Sequence, residues 1–452
     1  MVSKANLQPA ARYWKMRISL TDNSEKQTFQ RKDVAALFPI ADKTIADLCR
    51  ENENLLIFPF SIETSDDRIG ESSVMRIINT ADPDTVRIST DNVMGFIGVG
   101  NLQVKIKSRF DDGRDDYLLH YMLQKVLSFN LFDLSHNNEQ EDVFDFIMFM
   151  FPYFLKSALR QGLYREYQTY RHNDANLKGT IDVGRHIAKN VPFVGNIAYS
   201  TREYSHDNNM TELIRHTIEF MRTKKYGQSV LNIDRETVEN VKTIVEHTPL
   251  YNKGERSAII SKNLRMKTHP YYTEYRPLQT LCLQILRMEE VKYGESDDEI
   301  CGILLDGAWL WEEYVNTILR PLGFTHPQNK LGTGRIYIFD DHSGVRYPDF
   351  YNDVMVLDAK YKRLGGYEKV AQVANADINQ VVTYMTTLHL DKGGFIAPLE
   401  QPQVKVPTSR LKNNLGTLSI FGIEISKTAT SYADFCDQMQ TMEASFIESL
   451  KL

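Results

Sequence analysis

Residues 354–361, VMVLDAKY, read as a strand buried in a core, yet the run carries two charges, Asp358 and Lys360, two positions apart and so on one face. Burying a carboxylate and an ammonium is costly unless they pair or bind an ion, so the chain has to fold a partner around them. The segment upstream, RYPDFYND, supplies one. If Asn352 and Asp353 form a two-residue hairpin turn, Tyr351 faces Val354, Asp349 faces Val356 and Tyr347 faces Asp358. Asp349, Val356, Asp358 and Lys360 then share a face, and the Asp349 to Asp358 diagonal spans roughly 7 Å. Two carboxylates within reach of one cation suit Mg²⁺, which keeps several waters and can polarise a phosphate, while Lys360 can hold and help deprotonate an attacking water. The plainer alternative is a structural Asp358–Lys360 or Asp349–Lys360 salt bridge.

Two flanking segments read as helices. In GILLDGAWLWEEYVNTILRP, taken as one helix, the stripe Leu305, Ala308, Glu312, Val315 and Leu319 sets Glu312 among apolar neighbours, and Glu313 falls on a more solvated face. Glu312 is either a third acid beside the metal or a hydrogen-bonded, partly buried glutamate. In ANADINQVVTYMTTLHL, Gln380 and Tyr384 lie one turn apart, with Asp377 three residues before Gln380. A glutamine beside a metal can orient water or a phosphate oxygen.

In order, a helix glutamate, Pro-Asp, an Asp-x-Lys strand and a Gln-x-x-x-Tyr helix resemble the PD-(D/E)xK nuclease superfamily, whose core is a mixed sheet flanked by helices and whose members hydrolyse DNA with Mg²⁺. Upstream, GFIGVGNLQVKIKSRF, LKGTIDVGRHI, REYSHDNNMTELIRHTI and the WEEYV helix look like McrC, the nuclease subunit of McrBC-type modification-dependent restriction systems. This similarity runs in patches from about residue 93 to 398. The LlaJI restriction endonuclease family, whose nuclease subunit also looks like McrC, is the related alternative. The resemblance implies metal ligation by Asp349, Asp358 and Glu312, with Lys360, Gln380 and Tyr384 completing the catalytic set. It implies Mg²⁺, with Mn²⁺ as a substitute. The implied partners are double-stranded DNA, methylated or otherwise modified, and a hexameric McrB-like AAA+ GTPase contacted by the amino-terminal part. Where many members end a strand in Pro-Lys, this chain reads Lys107-Ser108-Arg109. No GxxxxGK[ST] phosphate loop occurs, which agrees with dependence on a motor subunit, and LGTGR near Gly332 reads as a plain loop. The rival from another class is a non-catalytic regulator that stimulates a motor NTPase; an RNA-acting or repair nuclease of the same fold is a further one.

A length of 452 residues suggests about three domains at roughly 150 residues each. The expected class is an α+β / α/β multidomain protein: an amino-terminal mixed, β-rich module over 1–115 for partner or DNA contact, a mostly helical region over 116–293, and a PD-(D/E)xK domain over 294–452. Residues 31–38 and 42–52 read as two short helices that would suit a helix-turn-helix, although seven acids against three bases over 63–91 make an awkward surface for DNA. Residues 85–110 read as strands with turns at Gly95, Gly98 and Gly100. Residues 174–204 read as turn-rich, leading to a helix capped by Ser205 or Asp207.

With 53 basic and 59 acidic residues the net charge is −6, so DNA binding must rest on local patches. Seven bases face three acids over 156–189, and six face two over 253–276, interleaved with Tyr164, Tyr167, Tyr170, Tyr271, Tyr272 and Tyr275. That is a phosphate-plus-stacking composition, or else a solvated helix face. The expected DNA contacts are Arg165, Arg171, Lys178, Arg185, Arg346 and Lys362. Four scattered cysteines without a CxxC pair argue against a zinc site or disulfide framework. No HExxH or GxSxG motif is present. Without a membrane-length apolar run or a signal-peptide core, a cytoplasmic protein with no membrane contact is expected.

Overall fold

The computed structural model describes residues 16–24, 27–52, 55–58, 71–99, 102–110, 116–127, 142–224, 227–265, 269–292, 300–327 and 334–451. Gly100, the acidic loop at 294–299 and Gly332 lie outside them. The protein is a mixed α+β molecule of two units, one of Met1–His136 with Tyr293–Leu452 and one of Asn137–Lys292. Segments of the expected first and third domains thus lie in one unit. The reason is a shared five-stranded sheet, in the order Met16–Thr21, Leu102–Lys107, Val93–Val99, Ile300–Asp306, Leu55–Phe58.

Ile300–Asp306 is a strand, and the helix expected to run through it starts only at Gly307. A short apolar run such as GILL suits either state, and here pairing with Val93–Val99 and Leu55–Phe58 decides. Gly95 and Gly98 sit inside the strand Val93–Val99 and not at turns. Gly95 has φ +126°, and a Cβ there would lie 2.2 Å from the carbonyl oxygen of Ile303 on the neighbouring strand, so close pairing requires glycine. At 31–38 only a 3₁₀ turn, Ala35–Leu37, forms ahead of the helix Ile45–Glu51, so the helix-turn-helix is not made. Val34, Leu37, Ile40, Ile45 and Leu48 instead pack into a core shared with the sheet strands.

A second five-stranded sheet has the order Phe350–Tyr351, Met355–Ala359, Lys392–Leu399, Thr417–Glu424, Thr408–Arg410. Its three middle strands run parallel and its outer strands antiparallel. The helix Asn375–Leu388 crosses between two of them and packs Val381, Tyr384 and Met385 on Val356, Phe395 and Ala397. Three more helices meet at a buried carboxylate. Glu443 of Tyr432–Ser449 accepts from the hydroxyls of Tyr121 and Tyr314, each at 2.8 Å, and pairs with Lys125 at 2.8 Å. These donors sit on Tyr117–Leu127 and Gly307–Leu319, so one satisfied acid sets the mutual orientation of three helices.

The second unit combines the helices Asp142–Arg160, Asn209–Arg222, Arg235–Glu246, Arg256–Asn263 and Tyr275–Lys292 with an antiparallel sheet of Glu166–Asp174, Ile197–Ser205 and Thr180–Ile181. The passage expected to be only turns also holds the helix Val183–Asn190, capped by Asp182. Asn208, not Ser205 or Asp207, caps Asn209–Arg222: its backbone is extended and its Oδ1 accepts from the N–H groups of Met210 and Thr211. Ser205 Oγ is taken by the N–H of Asp207, and Asp207 accepts from Leu250 N. Among the described residues no helix is long and apolar enough to cross a membrane.

At the edge of the first sheet, Arg109 is tied to the fully buried Asp22, with Nε and Nη2 at 2.9 and 2.7 Å from its carboxylate. Arg109→Met would leave that carboxylate buried without its cation. The expected loss is about 3–5 kcal/mol in the unfolding of this unit by urea. The exposed pair Lys43–Glu51 in the same unit is the control, where Lys43→Met should leave that transition nearly unchanged.

Candidate active site

The hairpin pairs Phe350 with Leu357 and Tyr351 with Val356. This register is two residues away from the expected one, with Asp353 and Val354 at the centre of the turn. Asn352 causes the difference. Its Oδ1 accepts from the N–H groups of Val354 and Met355, each at 2.9 Å, and its own N–H donates to the Met355 carbonyl, so the loop closes on Met355. Continuing the ladder sets Asp349 directly opposite Asp358 instead of on a diagonal. Asp349 Oδ2 also accepts the backbone N–H of Ala359 at 2.7 Å, which fixes the carboxylate beside the strand.

Asp358 is 1% exposed, and neither of its oxygens meets a well-aligned hydrogen-bond donor. Lys360 Nζ lies 2.7 Å from Oδ2 as counter-charge. Burial raises the pKa of Asp358 above the usual carboxylate range despite that ammonium. Asp349 is raised further, by burial and then by the negative charges of Glu312 and Asp358. Burial would lower the pKa of Lys360, but Asp358, Asp349 and Asp377 outweigh it and hold the amine above its ordinary value. Asp377, from the following helix, stands 3.5 Å from Lys360 Nζ and 2.8 Å from Lys362 Nζ. Against the effect of its burial, these two lysines keep its pKa below the usual range.

Gln380 and Tyr384 are brought to the same site. Gln380 Nε2 donates to the buried Tyr384 hydroxyl at 2.9 Å. The phenol is raised by burial, opposed by Gln380, and raised again by Asp349 and Asp358. Glu312 differs from expectation. The buried face of its helix is Leu310, Trp311, Tyr314, Val315, Ile318 and Leu319, while Ala308 is exposed. Glu312 and Glu313 are alike in exposure, at 30% and 26%. Both approach His326, each at 3.8 Å, one beside Nδ1 and one beside Nε2. Among the described residues no group of three or more His, Cys, Asp or Glu is arranged as a metal cluster; Glu312 is nevertheless close enough for its charge to raise the pKa of Asp349.

His326 was not found from the sequence. Its Nδ1–H donates to the Asp349 carbonyl at 2.8 Å and its ring stacks on Phe350 at 5.0 Å. Burial lowers its pKa, but Glu313 and the Asp349 carbonyl outweigh this and raise it. A lone histidine in a loop carries no spacing signal; only the fold shows that it braces Asp349.

The expected DNA contacts divide. Arg346 is exposed, on the strand Val345–Arg346, and donates to the Val345 carbonyl. Lys362 is 53% exposed and pairs with Asp377. In the second unit Arg165, Arg171 and Lys178 are exposed. Arg185 is turned inward, its guanidinium donating to the carbonyls of His172 and Tyr199 and pairing with Asp182, so it ties helix to sheet.

The fold and site define an α+β multidomain protein with a charged, half-buried hairpin centre. Residues 88–398 match the family of the McrBC 5-methylcytosine restriction system component. The chain belongs to this family, as its resemblance to McrC implied. No curated protein matches it. Among solved structures it is similar to a chain of the half-complex from a tetradecameric assembly of Thermococcus gammatolerans McrB AAA+ hexamers with bound McrC. There the identity is 16%, 96% of this chain and 99% of that chain are covered, and the TM-score is 0.48. It is also similar to a chain of the Thermococcus gammatolerans McrBC complex, at 15% identity, 67% and 87% coverage and a TM-score of 0.33.

The raised pKa of Asp349 gives a signed prediction. A group whose folded pKa exceeds its unfolded one stabilises at low pH, and that stability is lost as pH rises through the folded value. Asp349→Asn should therefore raise the unfolding midpoint of the metal-free protein in chelator at about pH 8, and the gain should vanish near about pH 4, the unfolded carboxylate value. Scanning calorimetry across that range checks it; a midpoint at or below wild type at the alkaline end contradicts the repulsion described.

Proposed function

We propose that this chain is the nuclease subunit of a McrBC-type restriction system, a Mg²⁺-dependent endonuclease of PD-(D/E)xK type that cuts modified double-stranded DNA when an AAA+ GTPase partner activates it. One observation carries the reading. A carboxylate with 1% exposure, whose oxygens meet no aligned donor, faces a second carboxylate across a tight hairpin beside an ammonium at 2.7 Å. A buried oxygen without a donor is costly in a protein that binds nothing there, and hard oxygen donors of this kind fit a divalent cation. Asp349 and Asp358 would hold it, and the remaining positions suit the waters that Mg²⁺ retains. When bound, the ion supplies a Lewis acid for the scissile phosphate and lowers the pKa of a water.

The other groups act around that centre. Lys360, kept protonated by Asp358, Asp349 and Asp377, donates to the attacking water and offsets charge that builds on the phosphate. An ammonium with a raised pKa is a poor base, so its work is orientation and charge and not uptake of the proton. Asp377 holds the ammonium from the helix side, and His326 holds Asp349 from behind through its carbonyl. Gln380 and Tyr384 form a hydrogen-bonded pair whose phenol lies within the field of both aspartates, suited to a phosphate oxygen or a water. Lys362 and Arg346, exposed on the same unit, are suited to the DNA backbone.

Two measurements test this. With its GTPase partner, modified duplex DNA and Mg²⁺, Asp358→Ala and Lys360→Ala should each slow cleavage by about a thousandfold, and wild-type rates in either variant would remove the assignment. Without DNA, Mg²⁺ at about a hundred times its Kd should stabilise the wild type by about 2.7 kcal/mol and leave Asp358→Asn unmoved. A folded Asp349→Ala protein that still stimulates its motor and still restricts phage would point to a regulator that does not cut.

A further inference from the structure

The second unit contains a cavity of about 360 Å³ whose walls include Arg165, Tyr204, His206, Thr243, His247 and Tyr272. That volume lies in the usual range for small-ligand sites. Its chemistry is uneven in an informative way. Arg165 Nε donates to His206 Nε2 at 2.7 Å, so this histidine accepts there and is neutral, its proton on Nδ1 facing the Tyr164 carbonyl at 3.4 Å. Burial and the Arg165 charge both hold its pKa down. His247 meets His206 edge to face at 5.2 Å and has its Nδ1 2.9 Å from the Thr243 carbonyl. The wall thus carries one permanent cation and two imidazoles. Among the described residues no carboxylate stands within ion-pair distance of the Arg165 guanidinium. Glu166, its chain neighbour, accepts instead from Gln168. An exposed guanidinium held at Nε, whose terminal N–H groups make no hydrogen bond or ion pair among the described residues, is a fork for an anion.

Aromatic faces stand beside that fork. Tyr272 is fixed by its hydroxyl, which donates to the Leu163 carbonyl at 3.3 Å. Tyr204 is 51% exposed and packs on Tyr167 at 5.0 Å, and Arg202 lies over Tyr167 at 4.6 Å. The strip Tyr204, Tyr167 and Arg202 continues from the cavity along the antiparallel strands Glu166–Asp174 and Ile197–Ser205, where Tyr204 and Tyr167 are opposed. A bare phosphate would use the guanidinium and leave these rings idle, and an apolar ligand would leave the guanidinium unpaired. One class of ligand uses both. We propose that the cavity binds a phosphorylated nucleotide, its phosphate on Arg165 and its base against the rings of Tyr204 and Tyr272. The nucleotide is either free in solution or an unpaired member of a DNA strand whose neighbours follow the tyrosine strip.

The test uses the full chain in chelator, so that it does not depend on cleavage or on the metal site. Binding of a short fluorescent oligothymidylate is followed by anisotropy, with thymidine monophosphate and thymidine as competitors. Arg165→Ala should weaken binding about tenfold and Tyr204→Leu roughly fivefold. Arg160→Ala, in the same basic stretch but paired with Glu236 outside the cavity, should leave it unchanged. Competition by the monophosphate assigns the site to the free nucleotide as well as the strand; Arg165-dependent oligomer binding without that competition assigns it to the strand alone. No binding of either probe, equal affinity in Arg165→Ala, or thymidine competing as well as its phosphate would overturn the proposal. Arg165 and Tyr204 are exposed, so both variants should keep the wild-type unfolding midpoint, and the binding comparison stands on folded protein.

Discussion

A buried carboxylate near the end of the strand Met355–Ala359 is the constraint around which this sheet is organised. Asp358 is placed by strand alternation on the face that carries Val356 and Lys360, and register with the next strand sets it beside Phe395 of that strand. Nothing apolar there offsets its charge. The surrounding elements answer instead, each from a different place in the chain: Lys360 from two residues on, Asp377 from the crossover helix, and Asp349 from across the hairpin. The arrangement is electrostatically unbalanced, since Asp349 and Glu312 add negative charge where one ammonium already has two carboxylates near it. Charge repulsion of that kind is relieved by a divalent cation, which is why the proposed chemistry and the electrostatics agree.

Much of this centre was legible because it rests on short-range rules. Alternation alone put Asp358 and Lys360 on one face, and helical spacing alone put Gln380 within reach of Tyr384; neither needs knowledge of tertiary structure. The register was not legible, because it turns on Asn352 accepting two backbone N–H groups, a choice among turns that the dipeptide Asn-Asp does not determine. His326 was invisible for another reason: its partners Asp349 and Glu313 are brought to it by the fold, and no motif links them. Glu312 shows how helical phase fails when the start of a helix is misplaced. Counting from Leu305, which is in a strand, rotated the apparent apolar face and put Ala308 on it. Basic composition misled in the same way at Arg185, whose charge serves two carbonyls of the adjacent sheet.

The end of the Asp-x-Lys strand is held as firmly as its middle. Tyr361 follows Lys360 directly, is buried, and shares a 2.7 Å hydrogen bond with Ser108, while the Arg109 guanidinium lies 4.8 Å over its ring. Arg109 is in turn fixed by Asp22 and Asn92, and Arg363 donates to the Arg109 carbonyl at 2.8 Å. Ser108 and Arg109, which directly follow the strand Leu102–Lys107, are therefore the residues that grip the strand beyond the ammonium. A proline at 108 would supply no hydroxyl for Tyr361, and a lysine at 109 could not make the same forked contact with Asp22 while lying flat on an aromatic ring. The amino-terminal sheet and the proposed catalytic strand are thus joined by paired charges and a stacked ring, at the residue next to Lys360. Contacts of this stiffness limit the freedom of Lys360 to drift from Asp358, and accurate placement of a charge at a reacting phosphate is worth more than the charge alone.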